Sequence, residues 1–407
     1  MVKRLIPPIA VAMLAMPALT FSQSALPQGP GADLVQSRCV ACHEIGRITR
    51  AGYDRPGWQA AVARMVNMGA KLTAPEQAQI TDYLAAHYPD RRPAMAAVAG
   101  PAKVKFREWV TPTAGSRPHD PLAARDGSIW YTGQMANLLG RLDPRTGAFV
   151  EHKLPTANSG PHGLVEDASG NIWFTANFAG YVGKLDAATG QVANYPMPDP
   201  AVRDPHTLIF DRSGMIWFTA QGANRVGRLD PATGKVELMA VSTPHANPYG
   251  MALDPGGRIF FDEFGTNRIG RIDPPAMHIT DYVLPQAAAR PRRIAITRDG
   301  AVWYTDFARG YVGRLDPATG KVSEWASPGG PQSQPYAIAV LKDAVWYVES
   351  NTRPNALVRF DPATHRFQTW GVPAGGGVVR NMMATADGGG LAIAESGIDR
   401  VALATVR

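Results

Sequence analysis

The stretch Asn-Ile-Trp-Phe-Thr at residues 171–175 decides the fold, because versions of it return along the chain at a nearly constant spacing. An aromatic residue marks each copy, and the steps between successive markers are 43, 44, 43, 43 and 43 residues. A turn containing glycine precedes the marked segment, and two further strand-like segments follow it, the first ending in Gly-Arg/Lys-Leu-Asp in most copies. The marker positions are Trp130, Trp173, Trp217, Phe260, Trp303, Trp346 and, in a degenerate seventh copy, Ala392.

Four short strands in a unit of this length are typical of one blade of a β-propeller. Six, seven or eight blades are compatible with the period, and the seven copies predict seven. Residues 104–110 match the closing strand of a copy but precede the first one, whereas the last copy lacks that strand. We therefore expect a mostly β, seven-bladed propeller at residues 104–407, in which residues 104–110 complete the last blade and protect its edge.

In every copy, the loop ahead of the innermost strand carries a histidine, tyrosine or arginine at one equivalent position. In six copies this residue follows a proline. Equivalent positions of a propeller lie on a circle around its axis, so these side chains should line one mouth of a central funnel. Singly, each histidine could be a turn residue, but the regular spacing favours a shared site that binds anions or transfers protons. The predicted ring consists of His119, His162, His206, Tyr249, Arg292, Tyr336 and Arg380.

The repeats resemble the virginiamycin B lyase (streptogramin B lyase) family through Pro-His-Gly at 161–163, the segment at 171–175 and the Gly-Lys/Arg-Leu segments, over about residues 104–407. The resemblance implies a seven-bladed propeller and an elimination that opens a cyclic depsipeptide with Mg²⁺ at the funnel. It implies functional roles for His162 and His206 and a metal-ligand role for Asp204. Where that pattern has its second acid, this chain has Gln221, so we expect weak Mg²⁺ dependence or none. Other blades do carry an acid at that strand end: Glu263, Asp306, Glu349 and Glu395.

The motif Cys-Val-Ala-Cys-His at residues 39–43 contains the only two cysteines of the 407-residue chain. Its spacing is that of a covalent haem c attachment site, in which Cys39 and Cys42 form thioethers and His43 is the proximal iron ligand. With no other thiol, a cysteine zinc site and a disulfide framework are excluded. A thioredoxin-like redox pair and two incidental cysteines are the alternatives, and no strand of the kind that a redox pair follows precedes Cys39.

Residues 26–93 are predicted to form a small all-α cytochrome c domain, with helical segments at 32–38, 58–68 and 74–87 and a loop at 46–57. So few residues enclose a very small core, which a covalently held haem would complete. Residues 94–103, rich in alanine and containing Pro101, are predicted to be a linker.

The distal iron ligand is expected to be Met65, with Met68 and His87 as alternatives. Met65 shares a helix face with Trp58 and Val62, and a thioether ligand raises the reduction potential relative to histidine. Both methionines could instead fill the core. The pattern Trp-x6-Met-x3-Gly-Ala is similar to small cytochrome c domains of bacterial periplasmic dehydrogenases, and this resemblance again favours Met65.

Residues 1–25 have the pattern of a secretory signal peptide, with Lys3 and Arg4 ahead of an apolar run. A retained membrane anchor is the alternative, but the run is short and interrupted by three prolines. We expect cleavage and a periplasmic address without a later membrane span. The net charge of +7 is scattered, which argues against a nucleic-acid partner.

Together these features predict a periplasmic c-type cytochrome whose electron transfer is coupled to a small-molecule substrate at the funnel or to a periplasmic redox partner. A carbon–oxygen lyase of the virginiamycin B lyase type is the first alternative. There His206 would be the general acid or base, His162 its partner, and Arg292 the charge that stabilises an enolate if Mg²⁺ is absent. A binding propeller without chemistry is the second alternative. A quinoprotein is disfavoured, because the chain has no vicinal cysteine pair and no tryptophan docking repeat.

Overall fold

The computed structural model describes residues 26–40, 45–49, 51–67, 69–274 and 276–407. Strands within these ranges form seven antiparallel sheets of four strands each. This confirms the predicted mostly β fold and the seven-bladed propeller.

Each blade has an innermost strand along the central axis and a second strand that carries the repeated aromatic marker. The innermost strands are β2 (Pro118–Ala123), β6 (Pro161–Glu166), β10 (Pro205–Phe210), β14 (Pro248–Leu253), β18 (Pro291–Ile296), β22 (Pro335–Leu341) and β26 (Val379–Ala384). The second strands are β3 (Ile129–Gly133), β7 (Ile172–Ala176), β11 (Ile216–Ala220), β15 (Ile259–Glu263), β19 (Val302–Asp306), β23 (Ala344–Glu349) and β27 (Gly390–Glu395).

Two further strands complete each blade toward the outside. The third strands are β4 (Leu138–Leu142), β8 (Tyr181–Leu185), β12 (Arg225–Leu229), β16 (Arg268–Asp273), β20 (Tyr311–Leu315), β24 (Ala356–Asp361) and β28 (Arg400–Val406). The outermost strands are β5 (Phe149–Lys153), β9 (Val192–Pro196), β13 (Val236–Ala240), β17 (His278–Val283), β21 (Val322–Ala326), β25 (Arg366–Gly371) and, in the last blade, β1 (Val104–Val110).

Strand β1 closes the ring. It pairs with β28 along its whole length, from Val104 opposite Val406 to Val110 opposite Arg400. The innermost strands of the first and last blades, β2 and β26, contact each other as those of other neighbouring blades do. The first and last parts of the propeller therefore share a blade, and β28 has no unpaired edge there.

The repeated aromatic and glycine positions are explained by packing. Trp173 packs against Ile216 and Phe218 of the next blade, so the marker joins neighbouring blades. The glycine of the third strand makes room for the ring beside the marker, because a Cβ at Gly183 would lie 2.2 Å from Cζ of Phe174. The same relation recurs in five blades, which is why the motif keeps its glycine.

The segment before the propeller is helical. Its elements are α1 (Ala32–Leu34), a π-helix (Val35–Cys39), α2 (Gly46–Thr49), α3 (Arg55–Asn67) and α4 (Ala74–His87). Helix α4 begins with a capping box between Thr73 and Glu76. Among the described residues, no helix has the length and apolarity needed to cross a membrane.

The predicted loop at 46–57 is wrong in part, because it contains α2 and the first turn of α3. Asp54 is the N-cap of α3, since its carboxylate accepts a hydrogen bond of 2.9 Å from the backbone N–H of Gly57. Pro56 lies in the first turn, where its missing N–H costs nothing.

Residues 94–103 lie along the outside of the sixth blade, against β25. The backbone N–H of Thr369 donates to the carbonyl of Val98 at 3.0 Å, and the Thr369 hydroxyl donates to that of Ala96 at 2.7 Å. The Gln368 side chain also donates to the Ala102 carbonyl at 2.8 Å. The predicted linker is thus held to the propeller surface by hydrogen bonds.

Candidate functional site

The predicted ring residues occupy one equivalent place in all seven blades. This place is the second position of the innermost strand and not, as predicted, the loop ahead of it, because each strand already begins at the preceding residue. In every blade the pairing with the second strand shifts register around this position, as between Pro205 and Leu208. Such an irregularity frees a residue from the regular ladder and redirects its side chain. Because this register shift is repeated in every blade around the axis, it brings these side chains toward a common centre.

Three histidines and two tyrosines of the ring form a continuous row. The ring centroid of His162 lies 3.7 Å from that of His119 and 3.7 Å from that of His206. The next contact, from His206 to Tyr249, is 4.0 Å between centroids. The Tyr249 hydroxyl is hydrogen-bonded to the hydroxyl of Tyr336, which lies two blades further on.

The two arginines of the ring lie beside this row. The guanidinium of Arg292 is 4.0 Å from the ring centroid of Tyr336 and 4.2 Å from that of Phe307. Arg380 lines a cavity together with Arg292 and Tyr336. The structure therefore brings all seven predicted side chains to one end of the funnel.

Burial sets the protonation of the histidines, whose exposed fractions are only 2–3%. It lowers the pKa of His119, His162 and His206 well below the ordinary value. Positive neighbours add to the effect: Arg380 lowers the pKa of His119, and Arg293 lowers that of His206. The imidazoles are therefore neutral at pH 7, and each can accept a proton or bind a metal through a ring nitrogen.

Tyr336 behaves differently from Tyr249. Burial alone would raise the pKa of the Tyr336 phenol, but the charges of Arg292 and Arg380 lower it below the ordinary value. Burial together with the adjacent Tyr336 raises the pKa of Tyr249. The pair therefore consists of one phenol that ionises more readily and one that stays protonated.

A second layer of polar residues follows the ring, and the sequence interpretation missed it. Arg293 Nη2 lies 3.1 Å from Oδ1 of Asp120, and its Nη1 donates to the Thr207 hydroxyl at 3.1 Å. Oδ2 of Asp120 accepts from the Asn381 amide at 2.9 Å, and Oδ1 lies 2.8 Å from Nδ1 of His119. This network joins the first, third, fifth and seventh blades beneath the histidines.

A divalent cation could be held by His119, Asp120 and His162, whose ligand atoms lie within 4.8 Å of one another. Nδ1 of His162 has no hydrogen-bond partner among the described residues. However, Asp120 already forms the ion pair with Arg293, so its charge is shared.

The Mg²⁺ ligand implied by the resemblance, Asp204, is not in this group. Its carboxylate accepts a hydrogen bond from the backbone N–H of Gly222, directly after Gln221, and burial raises its pKa. In the part of the chain that the structure describes, no cluster of three metal-binding side chains includes Asp204.

Two acidic residues at the end of the second strand in other blades also accept hydrogen bonds from the backbone of neighbouring loops. Asp306 accepts from the backbone N–H of Arg290 at 3.0 Å, and Glu349 accepts from that of Gly329 at 2.6 Å. Burial, followed by the charge of Asp281, raises the pKa of Glu263 to about 7. Burial also raises the pKa of Glu395 well above its ordinary value.

Of the predicted haem-binding residues, the structure describes Cys39 and Met65. Cys39 ends the π-helix and packs against the apolar cluster that contains Trp58 and Val62. Met65 is half-buried near the end of α3. Cys42, His43 and Met68 lie outside the described residues, as do residues 1–25 with the predicted signal peptide.

The helical segment lies over the funnel mouth. Nη1 of Arg64 on α3 donates to the carbonyl of Gly397 in the last blade at 2.9 Å. A cavity of about 470 Å³ is lined by Tyr53 from the helical segment and by Arg292 and Arg380 from the ring. The predicted cytochrome segment and the predicted funnel ring therefore line the same space.

Comparison with known proteins places the propeller in a family. The sequence profile of the virginiamycin B lyase family matches residues 100–263 and 231–402. A solved streptogramin B lyase is 27% identical, with a TM-score of 0.68 over 75% of this chain and 98% of that chain.

A second similar structure is selenomethionine-substituted virginiamycin B lyase from Staphylococcus aureus, 24% identical, with a TM-score of 0.68 over 74% of this chain and 99% of that chain. A third is a catalytically inactive histidine-to-alanine variant of the S. aureus enzyme with quinupristin, 24% identical, with a TM-score of 0.67 and the same coverage. No curated protein sequence matches this chain. Since the profile match extends over most of the sequence, the chain belongs to the virginiamycin B lyase family.

Proposed function

We propose that the protein is a periplasmic c-type cytochrome in which a haem held by the helical segment exchanges electrons with a substrate bound at the propeller funnel. The observation that carries the proposal is the shared cavity, to which the helical segment contributes Tyr53 and the ring contributes Arg292 and Arg380. A substrate in this space would touch both parts of the chain.

The donor set of the helical segment fits a haem. Cys39 and Cys42 offer two thiols for covalent attachment, His43 offers an imidazole, and Met65 a thioether. The apolar cluster against which Cys39 packs, with Trp58 and Val62, would supply the hydrophobic surroundings. When bound, haem c supplies a one-electron redox centre.

The ring residues would bind the substrate and handle its protons. Neutral His162 and His206 can accept a proton that a substrate releases on oxidation. Arg292 and Arg380 can hold a negative group beside them. Asp120, through Nδ1 of His119 and through Arg293, fixes the orientation of the row.

A redox-difference spectrum of the full-length protein tests the proposal. The chain would be produced in a bacterium that attaches haem c, oxidised, and mixed with candidate substrates. We expect a substrate to reduce the haem, and we expect His206→Ala to slow that reduction at unchanged haem content. The matched control is His278→Ala, because His278 is exposed on outermost strand β17. Haem that no substrate reduces and no periplasmic redox partner oxidises would contradict the electron-transfer role.

Lyase chemistry is the second candidate, and family membership together with the neutral histidine row supports it. His206 would remove the proton α to a carbonyl with the assistance of His162, and Arg292 would stabilise the enolate. The ester carbon–oxygen bond would then break, so that a carbon–carbon double bond forms and the ring oxygen leaves as part of a carboxylate. The test is to incubate the wild type and a haem-free Cys39→Ala/Cys42→Ala variant separately with a streptogramin B depsipeptide. The product of each incubation is then identified by mass spectrometry. Ring opening by both proteins without a spectral change would establish the lyase role, and intact depsipeptide would remove it.

Mg²⁺ dependence is predicted to be weak or absent in either case, because Gln221 stands where the resemblance implies a second carboxylate and Asp204 is engaged by a backbone N–H. The measurement is the turnover of any substrate identified above, with Mg²⁺ and after chelation. A loss of turnover on chelation that Mg²⁺ restores would contradict this prediction.

A further inference from the structure

The space between the helical segment and the propeller has an excess of positive charge. Two cavities lie there, with volumes of about 470 Å³ and 730 Å³, and Arg380 lines both. Eight arginines of the described chain line them, including Arg64, Arg117 and Arg292, whereas Asp54 is the single carboxylate that does so within the described ranges.

Seven of these eight arginines, all except Arg92, form no ion pair within the described ranges. They include Arg64, Arg117, Arg292 and Arg380. The Nε atoms of Arg292 and Arg380 are buried without any hydrogen-bond partner there. Burying an unpaired charge is costly, so an anion at this place would remove an existing penalty.

Arg117 is affected most clearly by this arrangement. Burial, followed by the charges of Arg380 and Arg64, lowers its pKa to about 9. The nearby Asp399 does not offset the cluster through a side-chain pair, because its two oxygens accept from the backbone N–H groups of Gly115 and Arg117 at 2.8 Å each.

The smaller cavity also has aromatic walls. Tyr53 and Tyr88 come from the helical side, and Phe307 and Tyr336 come from the propeller. The guanidinium of Arg292 lies over the rings of Phe307 and Tyr336 and forms no ion pair within the described ranges. The Tyr336 ring is fully buried, whereas Tyr53, Tyr88 and Phe307 are partly exposed. A flat organic group can therefore lie among these three rings while a negative group reaches the arginines.

We propose that this interface binds a small aromatic carboxylate, with its carboxylate on Arg292 and Arg380 and its ring among Tyr53, Tyr88 and Phe307. A cavity of about 470 Å³ is of the size that small organic ligands occupy. The proposal deepens the proposed function, since it rests on the same site and names the class of substrate. Binding itself requires no electron transfer.

Calorimetric titration of the full-length haem-loaded protein tests it, with benzoate, 4-hydroxybenzoate and cinnamate as probes and their methyl esters as neutral counterparts. We expect at least one acid to bind and its ester to bind about 10- to 100-fold more weakly, because a charge-assisted contact is lost. Arg292→Gln and Arg380→Gln should each lower the affinity for the acid by a similar factor. Arg145→Gln is the matched control, since that side chain is 85% exposed, and it should bind like the wild type.

The ester comparison needs no variant, so it decides the proposal even if an arginine variant fails to fold. Equal affinity for acid and ester, or no binding of any acid at millimolar concentration, would overturn the proposal. Sulfate that binds as tightly as the aromatic acids would also overturn it, because the rings would then contribute nothing. If the acids bind but never reduce the haem, the proposed binding site is supported and only the proposed electron-transfer role is weakened.

Discussion

His162 lies between two other imidazoles in a place that water hardly reaches. Since burial lowers the pKa of all three rings, the folded chain keeps them neutral while the unfolded chain protonates them at about pH 6.5. Below that pH the unfolded state binds more protons, so the free energy of unfolding falls with falling pH. Each ring contributes up to about 1.4 kcal/mol per pH unit to this loss.

Replacing His162 with glutamine should therefore flatten the decline. The measurement is urea unfolding at about pH 7 and about pH 5 for the wild type, His162→Gln and the exposed-site control His278→Gln. We expect the control to decline like the wild type and the funnel variant to decline less. Equal declines in all three would mean that His162 is protonated in the folded protein as readily as in the unfolded chain.

The ion pair between Asp120 and Arg293 should behave as a coupled buried pair. Asp120→Asn or Arg293→Met alone leaves one group uncompensated and should lower the free energy of unfolding by about 3–5 kcal/mol. The double variant should lose much less than the sum of the two. Additive losses in denaturant unfolding would contradict the pairing.

Met65 is predicted to be the distal haem ligand. Met65→Ala should abolish the weak thioether-to-iron band of the oxidised spectrum and lower the reduction potential, because a thioether stabilises reduced iron. Met68→Ala is the matched variant and should leave both unchanged. If Met68→Ala removes the band instead, the ligand has been placed one helical turn too early.

Strand β1 is the element on which ring closure depends, since it supplies the outermost strand of the last blade. Two truncated chains, 104–407 and 111–407, differ only in this strand. We expect the shorter one to melt at a lower temperature and to aggregate, because its β28 edge is unpaired. Equal melting temperatures and a monomeric 111–407 chain in size-exclusion chromatography would contradict this role.

The blades could be predicted because every one repeats the same packing solution. The tryptophan marker joins neighbouring blades, and Gly183 and its equivalents admit a ring, so both positions recur with the period. The start of α3 escaped prediction although Asp54 and Pro56 are ordinary signals for a helix N-terminus. The glycine at position 57 weakened the helical pattern there.

The molecule as a whole contains two features that the period could not reveal. Asp120, Thr207, Arg293 and Asn381 occupy one equivalent position but are four different residue types, so no repeated polar residue marked them. The arginine-lined cavities depend on how the helical segment lies on the propeller, through contacts such as that of Arg64 with Gly397. Such long-range contacts follow from the folded surfaces and not from a local pattern.

The proposal that one chain unites a haem with a virginiamycin B lyase-family propeller is tested most directly by the intact mass of the denatured protein. Wild-type protein and the Cys39→Ala/Cys42→Ala variant would be extracted with acidified acetone and weighed by mass spectrometry. We predict that the wild type retains the mass of one haem and the haem absorption, because thioether bonds survive denaturation, and that the variant loses both. A wild-type chain with the mass of the bare polypeptide would contradict covalent haem attachment.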